Sequence, residues 1–149
     1  MTACTGCHVE LRLPNRPEFV AVARLAVSAV ATRMDFDIEA IEDLKVAVGE
    51  ALNNAIEHGC PSEGDEKMVT LRCELGAETL TIIVCDCGDG FDPATATRQH
   101  PHGELLLAER GLGMLLIEAL MDEVDFSSTP GSGTQVRMVK HRRTLEEHA

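Results

Sequence analysis

The stretch Asp43-Leu44-Lys45-Val46-Ala47-Val48-Gly49-Glu50-Ala51-Leu52-Asn53-Asn54-Ala55-Ile56-Glu57-His58-Gly59 constrains this chain more than any other. Ile41, Leu44, Val48, Ala51, Leu52 and Ala55 recur at three- and four-residue steps, so they line one side of a helix. Gly59 stops that helix and Pro61 prevents its return. Glu50 and Asn54 are four apart and stack one turn above each other on a different face. Asn is a mediocre helix former, and a merely solvated face would more cheaply carry Lys, Gln or Arg than the adjacent Asn53 and Asn54. A carboxylate and an amide oxygen one turn apart are the oxygen donors that a hard cation or an attacking group needs.

A chain of 149 residues fits one domain with a real core. Its formal charge of −12 argues against a nucleic-acid surface, which needs a basic stripe. No apolar run approaches the length of a membrane span, and Met1 to His8 has neither a basic start nor an apolar centre. The expectation is a soluble cytoplasmic protein. Its six cysteines form no pair of CxxC knuckles, and no His pair completes a zinc pattern. Cys4-Thr5-Gly6-Cys7-His8 matches the haem c attachment string, but attachment usually needs export and no signal is visible. An incidental or redox-sensitive dithiol is the better reading. Cys60, Cys73, Cys85 and Cys87 read as small buried apolar residues in a reducing compartment.

Taken in order, Val9, Leu11 and Leu13 alternate with polar residues as a short strand. A helix is expected from about Pro17 to Met34, with Asn15 as N-cap and Phe19, Val22, Leu25, Ala26, Ala29 and Val30 inward. Arg16, Arg24 and Arg33 stand outside that stripe, solvated or meeting a partner. After the central helix, Val69 to Leu75 and Thr79 to Cys85 alternate as strands and form a hairpin through Gly76-Ala77-Glu78. Phe91 to Arg110 lacks periodicity, and a loop of that length inside one domain is often an active-site lid. A helix over Leu112 to Met121 carries Leu112, Leu115, Leu116, Ala119 and Leu120. Strands over Val124 to Ser128 and from Thr134 through Met138 follow, and a charged tail from Lys140 is expected to fray. Segregated helices and hairpins argue for an α+β sandwich: a mixed, mainly antiparallel sheet with helices on one face.

The chemistry gathers around glycines. Asp86-Cys87-Gly88-Asp89-Gly90 follows the third strand, where alternate glycines let the backbone approach a ligand closely and Asp86 offers an acceptor for an exocyclic amine. Arg110-Gly111-Leu112-Gly113 opens a helix, setting free N–H groups and a cation at a phosphate seat. No GxxxxGK[ST] is present, which excludes a P-loop, and Gly111-Leu112-Gly113-Met114-Leu115-Leu116 lacks the last glycine of a dinucleotide fingerprint.

In this order, from Glu50 and Asn54 through DxGxG and a long loop to Gly111-x-Gly113 and Gly133-Thr134, the chain resembles the GHKL ATP-binding superfamily over about Val9 to Lys140. Within it, Gly49-Glu50-Ala51-Leu52-Asn53-Asn54-Ala55-Ile56-Glu57-His58-Gly59 is most similar to the bacterial anti-sigma factor serine kinases of sporulation and general stress. The resemblance implies the GHKL (Bergerat) two-layer sandwich over residues 9–140, with a flexible 1–8 and a charged tail at 141–149. It implies ATP with Mg²⁺ held by Asn54, and Glu50 orienting or deprotonating the attacking hydroxyl. Asp86 would accept from the adenine amine, with Gly88 and Gly90 giving space and Thr134 completing the pocket. Gly111 and Gly113 would present amides to the phosphates, and Arg110 would neutralise developing charge. The implied partners are a sigma factor, an anti-anti-sigma antagonist that receives phosphate, and a second copy of the chain. A nucleotide-dependent binding module without phosphoryl transfer is the alternative. This chain departs from the family pattern in two places: Gly49 stands where Ser is usual, and the loop has no Lys, which leaves Arg110 as the cation.

Overall fold

Four antiparallel pairings lay down the sheet, in the order β1-β2-β3-β5-β4. The computed structural model describes residues 6–58, 68–86, 112–129 and 133–143. Strand β1 (His8–Pro14) leads through one 3-10 turn (Pro17–Phe19) into α1 (Val20–Arg33) and α2 (Ile38–His58). Then come β2 (Met68–Leu75), β3 (Thr79–Cys85), helix α3 (Leu112–Leu120), β4 (Glu123–Thr129) and β5 (Gly133–His141). The α+β sandwich is as expected, although every pairing among the described strands is antiparallel and the sheet is not mixed.

Period-two alternation decides which face is covered. Leu11, Leu71, Val84, Val136 and Phe126 fall in one cross-strand row, and this face belongs to the core with α1, α2 and α3. The neighbouring row, Glu10, Arg72, Ile83, Arg137 and Asp125, lies on the other face. Its ion pairs, Arg72 with Glu74 at 2.9 Å and Arg137 with Asp125 at 3.0 Å, are partly exposed. Such pairs contribute about 0–1 kcal/mol each.

The core lies between this sheet and α2, where Leu44, Ala47, Val48, Ala51, Leu52 and Ala55 are buried. Helix α1 departs from expectation. Its buried residues are Ala23, Val27 and Ala31, while Val22, Leu25 and Ala29 face outward, Leu25 at 70% exposure. Small residues at four-residue spacing let α1 approach α2 closely, so the bulkier stripe is the one turned out. Asn15 caps nothing, because the chain enters through the 3-10 turn with no side-chain cap. In α3 likewise, Met114 and Ile117 are the buried residues, and Leu112 is 74% exposed. That helix is apolar nearly all round, so its periodicity did not choose a face.

The α1–α2 corner is closed by backbone chemistry. Asp35 takes φ 64°, the amide of Phe36 donates to the Ala31 carbonyl at 3.1 Å, and that of Asp35 donates to Thr32 at 3.0 Å. This is a Schellman stop with a non-glycine residue in the left-handed position. Asp37 then starts α2 by accepting from the Ala40 amide at 2.8 Å. At the other end of the chain, Lys140 does not fray. It lies in β5, only 14% exposed at its side chain, and its ammonium donates to Asp43 at 3.3 Å and to the Leu120 carbonyl at 2.6 Å.

Candidate nucleotide site

The Lys140 contacts fix the direction of the elements around it. They join the start of α2, the last residue of α3 and the end of β5 at one edge of the molecule. From there α2 rises about 16 Å to Asn54, and β5, read backwards, covers about 20 Å to Thr134. Helix α2 packs across β3 and β5. The opposite edge therefore collects the second half of α2, the first turn of α3, the end of β3 and the start of β5. Glu50, Asn54, Gly113, Asp86 and Thr134 all sit at that edge.

Two contacts build the site. The first joins α2 to α3: a Cβ placed on Gly113 would stand 3.0 Å from Glu50 Oε1 and 3.4 Å from Asn54 Nδ2. Absence of a side chain at 113 thus lets the helix start come down on the carboxylate and carboxamide together. Asn54 is 7% exposed, so it does not belong to a solvated face. The second contact joins β3 to β5. The Thr134 amide donates to Asp86 Oδ1 at 3.1 Å and the Asp86 amide donates to the Thr134 carbonyl at 3.0 Å. Both residues are buried. A side-chain oxygen held by a backbone N–H has fixed orientation, which is what recognition of an exocyclic amine requires.

Gly133 is a residue whose importance sequence reasoning understated. It has φ +94°, and a Cβ there would overlap the Asp86 carbonyl oxygen. The signal was present in Gly133-Thr134 at a strand start, but only the register across β3 and β5 shows what the glycine makes room for. Gly88, Gly90, Arg110 and Gly111 lie outside the described residues, as do Cys4, Cys60 and Cys87. Cys7 is disulfide-bonded. Cys73 is buried, as expected, and burial pushes its thiol up to about 11. The half-buried Cys85 is raised by burial first, then by the charges of Asp86 and Glu10.

The residues fit a magnesium nucleotide in kind. Among the described residues no three His, Cys, Asp or Glu side chains group as a metal cage. A hard cation held by one buried amide oxygen must take most of its ligands from phosphates and water, which is how Mg²⁺ is commonly bound.

The chain is similar to known proteins over most of its length. The histidine kinase-like ATPase domain matches residues 13–140. The serine-protein kinase RsbW of Bacillus velezensis is 39% identical over 143 residues, covering 90% of this chain and 85% of that protein. RsbW of Listeria innocua is 34% identical, covering 95% and 92%. Among solved structures, one holding the RsbU and RsbW domains of a Mycobacterium tuberculosis protein superposes with a TM-score of 0.67 at 18% identity. It covers 93% of this chain and 33% of that one. A histidine kinase domain from Erythrobacter litoralis gives 0.56 at 20% identity, covering 87% and 61%. On a match spanning most of its length and relatives above 30% identity, the chain belongs to the histidine kinase-like ATPase domain family.

Proposed function

We propose that this protein is an ATP-dependent serine/threonine protein kinase that works as an anti-sigma factor, holding a sigma factor and phosphorylating a small antagonist protein. The observation that carries the reading is the seating of Gly113 on Glu50 and Asn54, which puts a helix start, a carboxylate and a buried amide in one place. The relatives named serine-protein kinase support the activity.

In this reading Asp86 accepts from the adenine amine and Thr134 closes that pocket, with Gly88 and Gly90 leaving room for the base. Asn54 would hold Mg²⁺ through its side-chain oxygen. The metal, when bound with ATP, offsets charge on the phosphates. Amides of Gly111 and Gly113 and the cation of Arg110 would serve those phosphates. Glu50 orients the acceptor hydroxyl and receives its proton as the oxygen–phosphorus bond forms and the bond to the departing diphosphate breaks. The protein is read as a cytoplasmic homodimer. No helix among the described residues is long and apolar enough to cross a membrane.

The test is Glu50→Ala with γ-labelled ATP and a panel of antagonist proteins. We expect ATP binding within about twofold of the parent and label transfer reduced by about 100-fold or more. Transfer by neither protein to any antagonist would favour a nucleotide-dependent binding module instead.

A further inference from the structure

The apolar residues of α3 do not by themselves choose which side meets α2. Leu112, Leu115 and Leu116 remain exposed while Met114 and Ile117 are buried, so the helix is apolar nearly all round. Burial of apolar surface is non-directional. A turn of about 100° about the helix axis is one residue step, and it would exchange one apolar side chain for another at the contact. The site does not tolerate that exchange, because even a Cβ at position 113 would stand 3.0 Å from Glu50 Oε1. A directional contact must set the turn of α3.

The directional contacts lie at its other end. The Leu120 carbonyl is one of the orphan acceptors of the last helical turn, and the Lys140 ammonium donates to it at 2.6 Å. The helix dipole also favours a cation there. The ammonium is held in turn by Asp43 of α2 at 3.3 Å, and the Lys140 side chain is only 14% exposed. Just beyond the helix, the Asp122 amide donates to the Val139 carbonyl at 2.9 Å, and Asp122 Oδ2 accepts from the His141 amide at 2.7 Å. Those two bonds fix where α3 ends. A hydrogen bond to a carbonyl of the helix itself fixes how α3 is turned. Gly113 stands about 10 Å further along the axis, so a rotation set at Leu120 is carried whole to the edge that holds Glu50 and Asn54.

We propose that Lys140 is a positioning residue for the nucleotide site: by holding the Leu120 carbonyl it sets the turn of α3 and keeps Gly113 over Glu50 and Asn54. Its effect on the nucleotide rests on the reading above, whereas the placement of Gly113 does not. Asp43 matters less to that placement. An asparagine at 43 still accepts from the ammonium, so the Leu120 contact survives loss of the charge.

Lys140→Met and Asp43→Asn separate the two contacts, and both are expected to lower the unfolding temperature. In isotope-labelled protein without nucleotide, Lys140→Met should move the resonances of the Gly113 amide and the Asn54 carboxamide. The Thr134 amide, at the other contact of the site, should stay in place, and Asp43→Asn should leave all three where they are. Unmoved Gly113 and Asn54 signals in Lys140→Met overturn the inference. Calorimetry at a temperature where each variant is folded then reads the role. Lys140→Met should bind ATP with magnesium about 10-fold more weakly, yet bind AMP, which lacks the terminal phosphates, within about twofold of the parent. Asp43→Asn should hold both affinities. Parental ATP affinity in Lys140→Met, equal loss for ATP and AMP, or equal loss in both variants overturns the role. If Lys140→Met alone does not fold, the double variant with Asp43→Asn, which leaves no unpaired carboxylate, takes its place and is read against Asp43→Asn. A parent that binds no ATP overturns the nucleotide reading and the role with it, while the resonances still decide the placement of Gly113.

Discussion

At the scale of single residues, much of the site depends on side chains that are missing. Gly133 meets two demands together: a left-handed φ of +94° and a backbone carbonyl in the space of its Cβ. Gly133→Ala is therefore expected to destabilise the fold by at least about 2 kcal/mol. It should also weaken ATP binding, because moving Gly133 moves the Thr134 amide that holds Asp86. Chemical denaturation alongside ATP titration checks both effects, and a variant with parental stability would mean that the β3–β5 junction can move apart without loss. Glu50, Asn54 and Asp86 stand out from the sequence through their order along the chain and the family resemblance, since each short motif alone is a weak signal. The contact of Gly113 with Glu50 does not, because it is set by how α3 lies on α2 and not by a local pattern.

At the scale of elements, strands were more legible than helices. A strand has two faces and strict alternation, so Val69, Leu71 and Cys73 had to go in together, and they are buried. Helix α1 carries two apolar stripes, and sequence offers the bulkier one for burial. Packing chose Ala23, Val27 and Ala31, because two helices joined by a tight Schellman corner must come close. The start of α2 after that corner is a measurable part of the account. Asp37→Ala removes the acceptor for the Ala40 amide and is expected to cost about 1 kcal/mol. Asp37→Asn should recover most of it. Urea unfolding of the pair reads the difference, and equal loss in both would assign the effect to charge instead of the cap.

For the whole molecule, the sheet and α2 form one cooperative body, with Cys73 in the middle of it. Burial raises its thiol from 9.0 in the open chain to about 11 in the fold. Between those values the unfolded state gives up its proton first, so stability must fall as the pH rises. The contribution is fully present below pH 9 and is lost as the pH passes about 11, roughly 3 kcal/mol in all. Stability profiles of the parent and Cys73→Ala above pH 8 should diverge in slope in that window; parallel profiles would deny the thiol any part in it. Lys140 shows why the far edge was misjudged from sequence. Its charge reads as a solvated tail, and only the fold brings Asp43 and the Leu120 carbonyl to it.

The central claim is that the α2–α3 contact and the β3–β5 junction serve the same bound molecule. Calorimetric titration of ATP into the parent, Asn54→Ala and Asp86→Asn, each with and without magnesium, tests it most directly. One site per chain is predicted for the parent. Asp86→Asn should weaken binding about 10- to 100-fold under both conditions, whereas Asn54→Ala should weaken it chiefly when magnesium is present. Parental affinity in either variant, or no heat from the parent, would contradict the account.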